Sequence, residues 1–512
     1  MNEAVTPERH GSTNMKRVLS QYYRLPENLL DCSVSSFPAG VPGFFRFGPD
    51  LTCYGRCSSG VASTFENSQF YDASFLVNLD KTNLQLPFDP VAVVDDLRHE
   101  RYVRNLQFDK ENLISHEWTR KAYYALRPLL PVSIRRHMQR AYFDGWQTRA
   151  FPSWPLDFTV DTLHEELLRL ALQASGLQRI PFIWFWPDGA PNGLIMTHDV
   201  ETRAGRDFTS QLMDLDDRFA IKASFQVIPE NRYELPQQYV HEIRKRGFEF
   251  NIHDLNHDGN LYQEREQFLA RAEKINAYAR KFAARGFRAG SMYRMLDWYD
   301  AYDFSYDMSM TNVAHLDPKR GGCCTVFPFF IGNILELPLT TAQDYSVFHI
   351  LNDYSIALWK QQLAMLRQRN GLMSFLTHPD YLVDRRARAV YEKLLSHLLK
   401  MVIDEKIWAA LPRDVDQWWR ARAQMNLVQK NGQWQIEGHG SERARIAFAT
   451  IDRNHLIYDI QDAGNRETAL PVISSNLPGA TAETTCVSTS DRDSEQPLRN
   501  SPFASRTTRK TR

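Results

Sequence analysis

The chain has 512 residues, 43% hydrophobic and 24% charged, too many for one hydrophobic core of ordinary size, so two or more domains are expected. Lys plus Arg and Asp plus Glu each number 61, and that balance argues against a general nucleic-acid or polyanion binder. No apolar run reaches the roughly eighteen residues of a transmembrane helix, which leaves at most peripheral membrane contact.

Met1 to Arg17 is polar and interrupted by Pro7 and Gly11. With no apolar core behind a basic start, a cleaved signal peptide is not expected, and the expected location is cytoplasmic. Residues 1–115 read as a mixed α+β region. Closely spaced Gly and Pro from Pro38 to Thr52 predict surface loops, and Phe70–Val77 and Val91–Val94 read as strands. Residues 116–179 read as a helical connection, with apolar residues three and four apart in Trp118–Leu129 and Leu163–Leu172. Arg135, Arg136, Arg140 and Arg149 there predict a solvated basic helix face. Cys53 and Cys57, like the adjacent Cys323 and Cys324, lack the other half of a four-ligand zinc set, so free thiols are expected.

Residues 180–412 are the most regular. Strand-like runs at Ile180–Trp186, Leu194–Thr197, Ala223–Ile228, Phe248–Ile252, Leu335–Leu339 and Leu372–Thr377 are interleaved with helical spacings. Examples are Phe208, Leu212, Leu215 and Phe219, then Phe268, Ala272, Ile275, Tyr278 and Phe282. Such alternation predicts an α/β domain with a largely parallel sheet, and both a closed barrel and an open sheet fit it. Residues 413–473 read as a helix with a small β unit. Asn431-Gly432 marks a hairpin, Arg445–Ile451 and His455–Ile460 read as further strands, and Trp434 is read as a packing residue rather than a sugar platform. Residues 474–512, rich in Ser, Thr, charge and Pro, predict a disordered tail.

Polar groups gather at the ends of the predicted strands. Asp199 and Glu201 lie two apart in Thr197-His198-Asp199-Val200-Glu201, so an extended backbone puts both carboxylates on one side. His253 and His257 are four apart, which brings both imidazoles to one face if the segment makes a helical turn. Two imidazoles and a carboxylate suit Zn²⁺, Co²⁺, Ni²⁺ or Fe²⁺. Arg288, in Arg288-Ala289-Gly290-Ser291-Met292-Tyr293-Arg294, is placed to pair with Asp199. Asp307 and Ser309 sit in a polar turn, and His378 directly follows the strand-like Leu372–Leu376, where it can titrate near neutral pH.

Five such groups in this order resemble the polysaccharide deacetylase family (NodB homology, carbohydrate esterase family 4), in its acid-x-acid branch, over about residues 191–390. The resemblance implies a deformed (β/α) barrel, here with an N-terminal α+β region and a small C-terminal β unit. It implies a metal-dependent hydrolase removing N-acetyl groups from a carbohydrate, such as a surface-polysaccharide precursor, with Zn²⁺ the expected metal. Asp199 matches the family's base, Arg288 the arginine orienting it, and His378 the general acid. Glu201, His253 and His257 match the metal ligands, although the common form has adjacent aspartates where Val200 and Glu201 stand here. Ala289 occupies a position where proline is common. Arg294, Tyr293, Asp307 and Ser309 are expected to contact substrate. Two other readings are compatible with these residues: hydrolysis of a cyclic or other non-sugar amide, and a non-catalytic glycan-binding or scaffold protein.

Overall fold

The computed structural model describes residues 14–461 except 31–32, 59–60, 62–69, 81–82, 107–142 and 144. The expected Trp118–Leu129 helix, Arg135, Arg136 and Arg140, and the tail lie outside these. The described residues belong to one compact unit.

Gly193–Val200 (β1) is buried at all its positions, as a strand covered on both faces of a parallel sheet must be. Around it lie Ala223–Val227 (β2), Glu249–His253 (β3), Gly286–Arg288 (β4), Tyr306–Asp307 (β5), Phe329–Ile331 (β6), Ile334–Glu336 (β7), Leu372–Thr377 (β8) and Trp408–Ala409 (β9). The sheet order is β6-β7-β5-β4-β3-β2-β1-β8, with β9 joined to the start of β1. β6 runs antiparallel to β7 and the other pairings are parallel. The C-terminal ends of the parallel strands therefore share one rim, where α/β folds place their chemistry.

The helices between strands follow from their apolar stripes. Arg203–Arg218 (α1) starts at Thr202, whose side chain accepts from Gly205 N, and buries Phe208, Leu212 and Leu215. Arg265–Phe282 (α2) buries Phe268, Ala272, Ile275 and Phe282, the stripe legible in the sequence.

No ladder joins β8, at one end of the sheet, to β7 or to the terminal strand β6 at the other. The chain leaving β7 reaches β8 through side chains instead. Thr340 Oγ1 donates to Leu372 O at 2.6 Å and accepts from Ser374 N at 3.0 Å, and Thr341 Oγ1 donates to Ser374 O at 2.8 Å. This curled sheet is the deformed (β/α) barrel type that the motif order implied.

Three expectations about local structure are corrected. Val91–Val94 is helical, within Pro90–Arg98: Asp89 caps the backbone N–H groups of Val91 and Ala92, Pro90 fixes the first turn, and Val93, Val94 and Leu97 face the core. Phe70–Val77 contains a 3₁₀ turn, Ala73–Leu76, capped by Asp72. Arg179–Ile183 is a strand, yet it pairs with Ile446–Asp452 and not with the central sheet. The latter strand also pairs with His455–Ile460, so these C-terminal strands are completed from far upstream. The hairpin at Asn431-Gly432 forms as expected, both residues having positive φ, 51° and 77°. Trp434 is half-buried and packs against the core. The four cysteines singled out are buried, and Cys53, Cys323 and Cys324 are free thiols.

Candidate active site

Asp199 is the penultimate residue of the buried strand β1 and Glu201 follows the strand directly. Their two-residue spacing puts both carboxylates beside His253, the last residue of β3: His253 Nε2 lies 3.7 Å from Asp199 Oδ2 and 3.7 Å from Glu201 Oε1. His257 Nε2 is 2.9 Å from Glu201 Oε1. The two imidazoles do converge, but not through a helical turn. The segment is a loop in which Asp254 and His257 both have φ of 54°. Gly290 packs directly behind it, where a Cβ would stand 2.4 Å from Asp254 Oδ2 and 3.0 Å from His257 Cδ2.

The tautomer of His253 follows from its partner. Nδ1 is 3.0 Å from the carbonyl oxygen of Arg288, which can only accept, so Nδ1 carries the proton and Nε2 presents a lone pair. Nε2 of His253 and Nε2 of His257 are both buried and make no hydrogen bond. Unpartnered buried nitrogens facing a carboxylate are costly unless a proton or a cation sits between them. Glu201, His253 and His257 can each place one ligand atom within 4.8 Å of the others, and this donor set fits a divalent metal of the zinc type. Burial raises the Glu201 carboxyl, but the attraction of His257 and contacts from His253, His257 and His378 outweigh it, holding it well below the usual carboxylate range. Burial lowers His257, and Glu201 more than compensates, so its proton is held more tightly than usual.

Arg288 is fully buried at the end of β4. It donates to Asp199 Oδ1 at 2.8 Å, to Thr197 Oγ1 at 2.8 Å and to Met308 O at 2.9 Å, which fixes the Asp199 carboxylate in one orientation. His378 follows β8, and its Nε2 is 3.6 Å from Glu201 Oε1. Its other side is gripped by Asp344, which accepts from His378 N and from Nδ1, both at 2.7 Å. Burial alone would lower the His378 pKa, but the Asp344 carboxylate outweighs it and the net shift is well upward. Asp344 was missed from sequence. It stands at the start of the helical turn that runs into Ser346–Ile350, 34 residues before His378, and no spacing links the two.

The remaining expected substrate contacts fall differently. Arg294 is fully buried in an ion pair with Glu100 and is not open to a substrate. Asp307 and Ser309 are also buried: Ser309 Oγ donates to Asp307 Oδ1 at 2.7 Å and accepts from Ala289 N at 2.8 Å, while Tyr299 OH donates to Asp307 Oδ2 at 2.8 Å. They brace the backbone next to Arg288 instead of forming an open groove wall. Tyr293 alone of this group is partly exposed. His198 is committed to Thr377 at 2.7 Å and Asp216 at 3.0 Å, away from the ligand cluster.

No protein-family model and no curated protein matches the chain. Among solved structures, a protein named as a polysaccharide deacetylase from Mycobacterium smegmatis is 16% identical, over 49% of this chain and 97% of its own, with a TM-score of 0.38. One from Pseudomonas aeruginosa PAO1, also named as a polysaccharide deacetylase, is 13% identical, over 46% and 93%, with a TM-score of 0.37. The peptidoglycan deacetylase PdaC from Bacillus subtilis is 12% identical, over 46% and 95%, with a TM-score of 0.31.

Proposed function

We propose that this chain is a metal-dependent amide hydrolase that removes N-acetyl groups from a carbohydrate. The observation that carries the hydrolase reading is the convergence of the His253 and His257 imidazole nitrogens with Glu201 beside the Asp199–Arg288 pair. The carbohydrate reading rests on the order of motifs in the sequence, and a glycan precursor is the substrate we favour.

Glu201, His253 and His257 would hold the metal, which when bound supplies Lewis acidity toward a carbonyl oxygen and a water molecule. Asp199, fixed by Arg288, takes the proton of the water that attacks the acetamide carbon. His378, held protonated by Asp344, gives its proton to the departing nitrogen as the C–N bond breaks. The products are acetate and a free amine on the sugar. Asp199 lies in β1 and His378 directly follows β8, the strand beside it.

The test is acetate release from a panel of N-acetylated sugars, lipid-linked sugars and glycans, using metal-stripped protein restored with Zn²⁺ or Co²⁺. Metal-dependent release that is lost in Asp199→Asn supports the proposal. Folded, metal-loaded protein that releases no acetate across the panel overturns the carbohydrate deacetylase reading.

A further inference from the structure

Among the described residues of the region before the motif-bearing sheet, Glu100 reaches the loop that leaves β4. Glu100 follows the helix Pro90–Arg98 and adopts φ of 56°. Its carboxylate enters the sheet-bearing part of the molecule and receives the guanidinium of Arg294 in a two-pronged pair: Nε donates to Oε2 at 2.9 Å and Nη2 donates to Oε1. The Arg294 side chain is 0% exposed and that of Glu100 4%. Gly322 N donates to the same carboxylate at 2.7 Å, and Lys319 Nζ lies 3.6 Å from it while donating to Arg294 O. A Cβ on Gly321, whose φ is +123°, would stand 2.6 Å from Glu100 Oε1, so the loop closes around this carboxylate.

Arg294 in turn holds the backbone that leaves β4. Its Nη1 donates to Met292 O at 2.7 Å. Ser291 and Met292 have φ of 56° and 55°, two successive non-glycine residues in the left-handed region, an arrangement that persists only when its surroundings enforce it. The enforcement on one side is apolar, Met292 packing with Leu339 and Leu376. On the other side it is the Glu100–Arg294 pair. The enforced loop includes Gly290, which lies against Asp254 and His257, and it continues directly from Arg288, whose carbonyl orients His253.

We propose that Glu100 is a positioning residue: through Arg294 it fixes residues 289–294 and thereby the seating of His257 and His253 in the ligand cluster. It makes the N-terminal region part of the site's support. The effect on metal binding rests on the metal-site reading above, whereas the effect on the loop does not.

Full-length Glu100→Gln tests this by amide hydrogen exchange of residues 289–294 and by Co²⁺ titration followed by absorbance. Glu165→Gln, which breaks the 2.7 Å Arg369–Glu165 pair elsewhere, controls for general loss of stability. In E100Q, exchange in 289–294 should accelerate roughly tenfold and Co²⁺ binding should weaken roughly tenfold, with neither change in E165Q. The doubly neutral E100Q/R294Q, which removes both charges of the pair together, carries the same test if the single variant does not fold. Unchanged exchange in 289–294 in either folded variant overturns the proposal, as do equal changes in E165Q. If the parent takes up no Co²⁺ while E100Q still loosens the loop, the Glu100 clamp stands and the metal reading falls.

Discussion

The imidazole of His253 and the carbonyl of Arg288, 3.0 Å apart, join two adjacent strand ends into one device. The bond selects the tautomer that leaves Nε2 free, and it comes from the residue whose guanidinium grips Asp199. His253 and Asp199 are therefore oriented by opposite ends of the same arginine.

His253→Ala and His257→Ala are each expected to abolish stoichiometric metal binding and acetate release together. Metal content by mass spectrometry of dialysed protein checks this. Metal should also raise the melting temperature of the parent, since a ligand at 100 times its Kd stabilises by about 2.7 kcal/mol if it binds only the folded state. Neither variant should show that rise.

Asp199→Asn keeps the size and shape of the side chain but not its basicity. It should retain parental metal content while turnover falls by roughly a hundredfold or more. Arg288→Lys keeps a positive charge, but one ammonium on a flexible stem cannot reproduce the fork that reaches Asp199, Thr197 and Met308 together. Its kcat should drop by about 10–100-fold without loss of metal. Parental kcat in either variant would refute the role given to that residue.

The His378–Asp344 pair sets a pH dependence. The pKa of His378 is raised in the folded protein, so the protonated form needed as acid persists at neutral pH and is lost as pH climbs through the folded value. Asp344→Asn removes the carboxylate that raises it, and the alkaline limb of kcat should move to lower pH. The linked stability has the same sign. It is fully present below the unfolded histidine value of about 6.5 and lost as pH rises through the folded one. Denaturant midpoints for parent and D344N should accordingly differ most at low pH and converge at high pH. An alkaline limb that does not move in D344N would remove His378 as the acid.

Thr340→Val tests the closure of the barrel. Losing the hydroxyl strands the Leu372 carbonyl and the Ser374 N–H in a buried setting, at a cost of roughly 1–3 kcal/mol. Urea unfolding should show this cost with no change in metal stoichiometry.

Much of the sheet was legible because its strands are buried runs of defined length. Leu372–Thr377 was read with the bounds it has, and Ala223–Val227 and Glu249–His253 to within one residue. Val91–Val94 was misread because β-branched residues suggest a strand, whereas the Asp89 cap and Pro90 commit the segment to a helix. The meeting of Asp199, Glu201, His253, His257, Arg288 and His378 was legible for a similar reason, since each stands at or just past the C-terminal end of a parallel strand.

The sequence by itself determined the α/β alternation, the residue types at the strand ends and the two-residue spacing that turns Asp199 and Glu201 the same way. Strand and helix periods are local, repeated properties, and local properties are written in spacing. Only the tertiary structure decided that Asp344 grips His378, that Arg294 is committed to Glu100 rather than to substrate, and that the His253–His257 segment is a loop. The Glu100 and Arg294 partners are 194 residues apart. A single buried charge pair leaves no periodic trace in sequence, because what selects it is the low-dielectric space the folded chain builds around both groups.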